Sequence, residues 1–289
     1  MKTVVLSLAE KNCTSSCCEG DSDHASDPSC GVRTQVLHFV DAMKKRGLET
    51  ELVTASEVKE VDPFVERTDA RLVVAAESDA QLNAIVSRAV RRLAPPPSGR
   101  PEDMRRDRTV PDLPAIGVLP LAETPELVKE LGLPKDGEAL AEALADGRVL
   151  RTDLLRHDGG GVVVNGVRLG GGDKPWSGLV NLDESVLTQP GEVVLACTVA
   201  VAGTYGRSDG MELVDADPAD GRLDVAVAVP VTVGRFRKRT RVEIRRGRGR
   251  AVAITPTESA VTVSDGVVDK LSRKRTWWIE PQAAGWYTV

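Results

Sequence analysis

A change of hydrophobic pattern at Gly147 constrains the fold more than any other feature of the sequence. Before it, short apolar runs alternate with amphipathic stretches. Thr3 to Leu8 is a run of strand type. Val32, Val36, Phe39, Val40 and Met43 then stripe one face of a helix, and Gly47 stands where a left-handed helix cap belongs. Glu51 to Thr54 and Arg71 to Ala76 are short strands, with weak helical character over 56–66 between them. Leu82, Ile85, Val86, Ala89, Val90 and Leu93 mark a helix from Ala80 to Leu93. Residues 95–114, rich in proline and charge, have no apolar period and are expected to form a mobile loop. A strand from Ala115 to Leu121 leads into helical stretches over 125–131 and 137–145. Alternation of this kind predicts a mostly parallel sheet covered by helices. After Gly147 the segments are short, β-branched and punctuated by Gly, Pro or Asp, as in 161–169, 193–202, 223–229, 251–255 and 261–263. That pattern predicts an antiparallel sandwich or barrel. The chain therefore reads as an α/β domain over 1–146 followed by an antiparallel β domain over 147–275.

Charge and composition narrow the function. The net charge of -5 argues against general nucleic-acid binding, which needs a positive field. No apolar run approaches the roughly 20 residues of a membrane helix. The opening MKTVVLSLAEK reads as a first strand and lacks the apolar core and cleavage site of a secretory signal, so a cytoplasmic location is expected. With aromatics at 3%, the cores must be aliphatic. Of five cysteines, Cys13, Cys17, Cys18 and Cys30 crowd the first thirty residues, and Cys197 lies in a predicted buried strand. In a reducing compartment such a cluster points to metal binding, redox chemistry or free thiols more than to disulfides.

Four phrases carry a family resemblance. GVLPLAETPELVKELGLPKDGEALAEAL resembles the stretch of diacylglycerol kinase-like and sphingosine kinase-like lipid kinases in which a strand ends in a Gly-Thr-Gly-Asn loop before a helix. GRVLRTDLLRHDGGGVVVNGV looks like the crossing into their second domain, and GRSDGMELVDADPADGRLDVAVA like their Met and DGxLDV segments. The fourth, ESDAQLN, lies where they carry Gly-Gly-Asp-Gly-Thr followed by Leu-Asn. The resemblance spans nearly the whole chain in order. It implies an α/β nucleotide domain followed by a β-sandwich, with residues 276–289 returning to the first domain, where Trp277 and Trp278 would cover an apolar edge.

The departures from that family bear on activity. Glu77, Ser78, Asp79, Ala80 and Gln81 replace the glycine loop, leaving only the aspartate and the following Leu82–Asn83. Glycine there lets backbone amides approach phosphate closely. Glu77 adds a repulsive charge, which at ~4 Å in a surface-like dielectric costs on the order of 4 kcal/mol. Ala122, Glu123, Thr124 and Pro125 replace Gly-Thr-Gly-Asn, and proline removes a donor. Where the family's base lies in Asp-Gly-Glu, Asp265 and Gly266 are followed by Val267. Asp220 and Asp224 stand where the family has an acidic residue in its metal network, although turn and strand chemistry explains both more simply. ATP is therefore not expected as a cofactor.

The loop KNCTSSCCEGDSDHASDPSC replaces a short glycine-containing turn. Loops at the carboxyl ends of parallel strands converge, so Cys13, Cys17 and Cys18 should meet Glu77 and Asp79 as reacting groups, with Ser78, Glu123 and Thr124 as ligand contacts. Cys13, Cys17, Cys18, His24 and Cys30 offer ligands for a soft metal. A reactive thiol and an incidentally thiol-rich loop are the alternatives. The basic run 235–250 reads as a solvated strand face, with an anionic ligand or lipid headgroup as the lesser reading. The sequence thus describes a lipid-kinase fold whose interdomain cleft is turned to small-molecule chemistry. A ligand-binding pseudokinase and an atypical lipid kinase are the rivals. A small-molecule ligand and a second copy of the chain are the expected partners; nucleic acid and a transmembrane segment are not.

Overall fold

The computed structural model describes residues 2–8, 34–67, 69–121, 123–171, 174–234 and 237–289. Two compact units divide the chain: Met1–Arg92, Pro114–Leu150 and Gly285–Val289 form one, and Leu93–Leu113 with Arg151–Ala284 form the other.

The first unit contains β1 (Lys2–Leu8), α1 (Thr34–Lys45), β2 (Thr50–Ala55), α2 (Asp62–Val65), β3 (Ala70–Ala76), α3 (Asp79–Leu93), β4 (Ala115–Pro120), α4 (Glu126–Glu130) and α5 (Gly137–Asp146). Its strands run in the order β2-β1-β3-β4, all parallel, and Gly285 and Trp286 add a further parallel strand beside Ala115 and Ile116. β3 and β4 are buried on both faces, which is why they read as unbroken apolar runs. Val5, Val73 and Leu119 pack with Phe39 and Met43 of α1 and Leu140 and Leu144 of α5. The ends of α5 are specified locally. Asp136 accepts the Ala139 N–H at 2.9 Å, and Gly147 takes the left-handed cap at φ 71°. At Gly137 a Cβ would lie 3.0 Å from the Phe39 Cα, so the α1–α5 contact requires glycine there.

The second unit is built from β5 (Val149–His157), β6 (Gly166–Gly170), β7 (Trp176–Leu182), β8 (Ser185–Thr188), β9 (Ala196–Ala200) and β10 (Leu223–Val233). It continues with β11 (Arg239–Gly249), β12 (Ala251–Pro256), β13 (Ala260–Ser264), β14 (Val267–Leu271) and β15 (Arg275–Tyr287). One antiparallel sheet has the order β11-β10-β9-β6-β13-β14. In another, β7 pairs β8 and β12, and β12 pairs β15, again antiparallel. Val167, Val199, Val225 and Val227 of the first sheet pack with Val180, Val252, Ile254 and Trp277 of the second, which makes a sandwich.

Two expectations need correction. Residues 93–113 group with the second unit, and the segment is anchored: Val110 and Leu113 are buried, and the Thr109 N–H donates to the buried Glu280 carboxylate at 2.6 Å. The end of the chain joins the first unit only from Gly285, while Trp277 lies in the sandwich core and Trp278 donates its indole N–H to Glu280 at 2.8 Å. Among the described residues no helix is long and apolar enough to cross a membrane.

Candidate functional site

β1, β3 and β4 are parallel, so their carboxyl ends share one edge of the first unit's sheet, and the described residues that follow β3 and β4 lie there. The loop after β1 carries Cys13, Cys17, Cys18, His24 and Cys30, and these residues lie outside the described ones. The other two loops are tied to each other. The Leu121 N–H donates to the Ala76 carbonyl at 3.0 Å, and the Leu127 N–H donates to Asp79 Oδ1 at 3.1 Å. Asp79 is 8% exposed and opens α3, so its carboxylate reaches from the start of one helix to the start of another.

The turn into α3 is closed by its own groups. The Ser78 carbonyl accepts from the amides of Gln81 and Leu82, and Gln81 Oε1 accepts the Glu77 N–H at 2.7 Å. None of residues 77–81 takes a positive φ. The Ser-x-x-Gln spacing of Ser78 and Gln81 resembles a capping box, the signal by which Gln81 could have been found from sequence. Glu77 and Ser78 are half-buried, Thr124 is half-buried and Glu123 is exposed. Pro125 provides the N-terminal cap of α4 without a side-chain hydrogen bond. Lys129 pairs with Glu126 at 2.6 Å. That bond chiefly raises the Lys129 pKa, and the nearby carboxylates of Asp79 and Glu123 add to it.

Chemically, two amides of the kind that a phosphate-cradling loop would aim at a ligand, those of Glu77 and Leu127, are donated to protein side chains instead. Among the described residues of the two loops and the helix starts after them, Glu77, Asp79, Glu123 and Glu126 outnumber Lys129. The edge thus suits neutral or cationic groups better than polyphosphate.

In the second unit, Asp265 is fully buried and its carboxylate accepts three backbone amides: Val164 at 2.8 Å, Asn165 at 2.9 Å and Gly166 at 3.3 Å. Asp265 and Gly266 have φ of 45° and 82°, as a two-residue turn joining β13 to β14 requires. The aspartate therefore fastens the hairpin to the start of β6. Asp220 accepts the Arg222 N–H at 2.9 Å and pairs with Arg248, in keeping with turn chemistry. Asp153, buried, accepts from Gly221 N–H at 2.6 Å and Gln282 N–H at 2.7 Å. Burial, reinforced by the charges of Asp220 and Asp217, raises its pKa to about 6 against those bonds. Cys197 is buried in β9, and burial raises its thiol to about 12.

No family model and no curated protein matches the sequence. Solved structures do match its fold. A diacylglycerol kinase from Bacillus anthracis str. Sterne is 12% identical with a TM-score of 0.62, over 100% of this chain and 97% of that one. A second structure from that strain, provisionally described as the same enzyme, is 12% identical with a TM-score of 0.66 over the same shares. An NAD kinase from Archaeoglobus fulgidus in complex with ATP is 13% identical with a TM-score of 0.51, over 100% of this chain and 94% of that one. With its parallel-sheet α/β unit and antiparallel sandwich, the chain has the diacylglycerol kinase-like fold, which NAD kinases share.

Proposed function

We propose that this protein keeps the diacylglycerol kinase-like fold without phosphorylating lipids from ATP, and that the carboxyl edge of its first sheet serves small-molecule chemistry instead. The observation carrying this reading is a pair of loops whose amides are bonded within the protein. The Glu77 amide is held by Gln81 and the Leu127 amide by Asp79, and Glu77 stands where the related first loop has glycine and Glu123 where the second has threonine. A triphosphate entering there would have to displace two hydrogen bonds and face added negative charge. The residues present do not fit the phosphates of ATP.

Asp79 positions α4 through the Leu127 amide, and Glu77 and Glu123 set the sign of the local field. The reacting group is assigned to the loop of Cys13, Cys17 and Cys18, as a thiolate or as thiolates holding a soft metal. A thiolate beside carboxylates needs positive compensation, or its pKa rises and it is inert. Such compensation comes from Lys11, from the start of the following helix or from the metal. A metal bound there would supply Lewis-acid or redox chemistry.

Calorimetry with magnesium–ATP tests the first half of the reading and should give no micromolar binding. Saturable binding, or phosphate transfer to diacylglycerol, would return the protein to lipid kinase chemistry. Alkylation rates of native protein, followed by mass spectrometry with and without chelator, test the second half, with the buried Cys197 as the slow internal control. At least one loop cysteine should react faster than free cysteine at neutral pH, or be protected by a metal that co-purifies under anaerobic conditions. The engagement of Asp79 with Leu127 favours a second reading, a ligand-binding pseudokinase. That reading takes over if all four loop cysteines react like the free amino acid and no metal is found.

A further inference from the structure

A cavity of about 510 Å³ opens in the second unit where β10 and β11 meet the segment 212–215. At its floor lies Asp224, which is 6% exposed. Its Oδ1 faces Arg248 Nε at 3.2 Å, across the β10–β11 register that pairs the two residues. Its Oδ2 is buried and has no hydrogen-bond partner among the described residues. A buried carboxylate oxygen without a donor is an exception in folded proteins and needs an explanation.

The cations lining the cavity are committed to other groups. Arg246 donates to the carbonyls of Leu213 at 2.5 Å and Glu212 at 2.9 Å. Arg248 pairs with Asp220 in addition to Asp224 Oδ1. The overlying segment is fixed from its other side, where the amides of Leu213 and Val214 donate to the Gly206 carbonyl at 2.7 and 3.1 Å. Two further carboxylates, of the exposed Glu212 and Asp215, stand at the mouth, and the buried Leu213 and Val214 give it an apolar wall.

We propose that this cavity binds an aliphatic amine, with one ammonium donating to Asp224 Oδ2, the carbon chain lying against Leu213 and Val214, and a second ammonium meeting Glu212 or Asp215. An ammonium carries three donors and no acceptor, which matches an orphaned acceptor flanked by carboxylates. A divalent metal fits less well. Among the described residues no group of three His, Cys, Asp or Glu side chains is placed to hold one ion. The site is independent of the chemistry proposed for the first unit.

Calorimetry of the full chain with spermidine and with putrescine, in a buffer of physiological ionic strength, tests the assignment. One saturable site is expected, weakened about tenfold or more in Asp224→Asn and unchanged in Glu258→Gln, which lies in a different cavity. Amide chemical shifts of the unmutated protein give the same answer without relying on a variant that folds: spermidine should shift those of Leu213, Val214 and Asp224 and leave those of Glu258 and Ser259 in place. Absence of a saturable site, equal affinity in the two variants, or unshifted amides at Leu213, Val214 and Asp224 would overturn the proposal. So would Asp224-dependent binding of magnesium or calcium that spermidine fails to displace.

Discussion

Replacing Asp265 separates a catalytic from a structural reading of the position that the lipid-kinase resemblance assigns to a base. Its carboxylate takes amides at 2.8, 2.9 and 3.3 Å with no solvent exposure. Asp265→Ala leaves these donors without that acceptor. The two shorter bonds, each charge-assisted, are worth about 1.5–3 kcal/mol apiece. Alanine at φ 45° adds about 1 kcal/mol of left-handed strain, while removing a buried carboxylate returns part of its desolvation cost. The net loss should be about 3–5 kcal/mol. Asp265→Asn keeps one acceptor oxygen but turns an NH₂ toward a backbone donor, and should lose about 2 kcal/mol. Asp265→Gly should be about 1 kcal/mol milder than alanine because glycine takes the turn freely. Urea unfolding followed by tryptophan fluorescence reads the effect in the right unit, since Trp176, Trp277 and Trp278 all belong to it. If Asp265→Ala unfolds within 1 kcal/mol of the wild type, roughly the worth of one ordinary hydrogen bond, the bracing argument fails.

Two further perturbations follow from the same reasoning. Asp153 is held above the usual carboxylate range, at about 6, so the folded state binds its proton more tightly than the unfolded chain does. Its contribution is therefore most favourable below about pH 4 and is lost as pH rises to about 6, a swing of about 2–3 kcal/mol. Asp153→Asn should remove that part of the pH profile in urea midpoints, and an unchanged difference between wild type and variant from pH 4 to 7 would refute it. Gly137→Ala should destabilise the first unit by about 1–3 kcal/mol despite alanine's better helix propensity, because its Cβ meets the Phe39 backbone. Circular dichroism melts check this, and a variant as stable as wild type would show that α1 and α5 adjust.

The parts of this fold that were legible in the sequence are those whose cause is local. Of the helical stripe expected there, Leu82, Ile85, Val86, Ala89 and Val90 are buried along α3 and Leu93 is half-buried at its end. Gly47, expected as a helix cap, takes the left-handed conformation just after α1. The change of period at Gly147 coincides with the passage from the helical unit to the sandwich, because alternation and amphipathic stripes record which face is buried. Residues 95–114 hid their anchoring since their partners are remote in sequence: Thr109 is held by Glu280, and Leu113 by the Ala283 carbonyl. Proline and charge density describe how a segment leaves regular structure, and carry no record of what it returns to.

The candidate site divides along the same line. That Glu77 replaces a glycine and Glu123 an uncharged threonine could be read directly, and so could the electrostatic consequence. What the structure adds is how the loops hold together without a phosphate. A glycine loop exposes amides that need an acceptor from outside; here Gln81 and Asp79 supply acceptors from within. Asp79, the aspartate shared with the kinase loop, therefore has a local task that requires no substrate, so its presence is weak support for phosphoryl transfer. The same holds at Asp265, where three amides account for an acid that the resemblance would make a base. Asp224 is the opposite case. Its fold-level explanation, an ion pair with Arg248, uses one oxygen and leaves the other buried without a donor among the described residues. Among these three acids, the one whose hydrogen bonding is incomplete is the one that calls for a ligand.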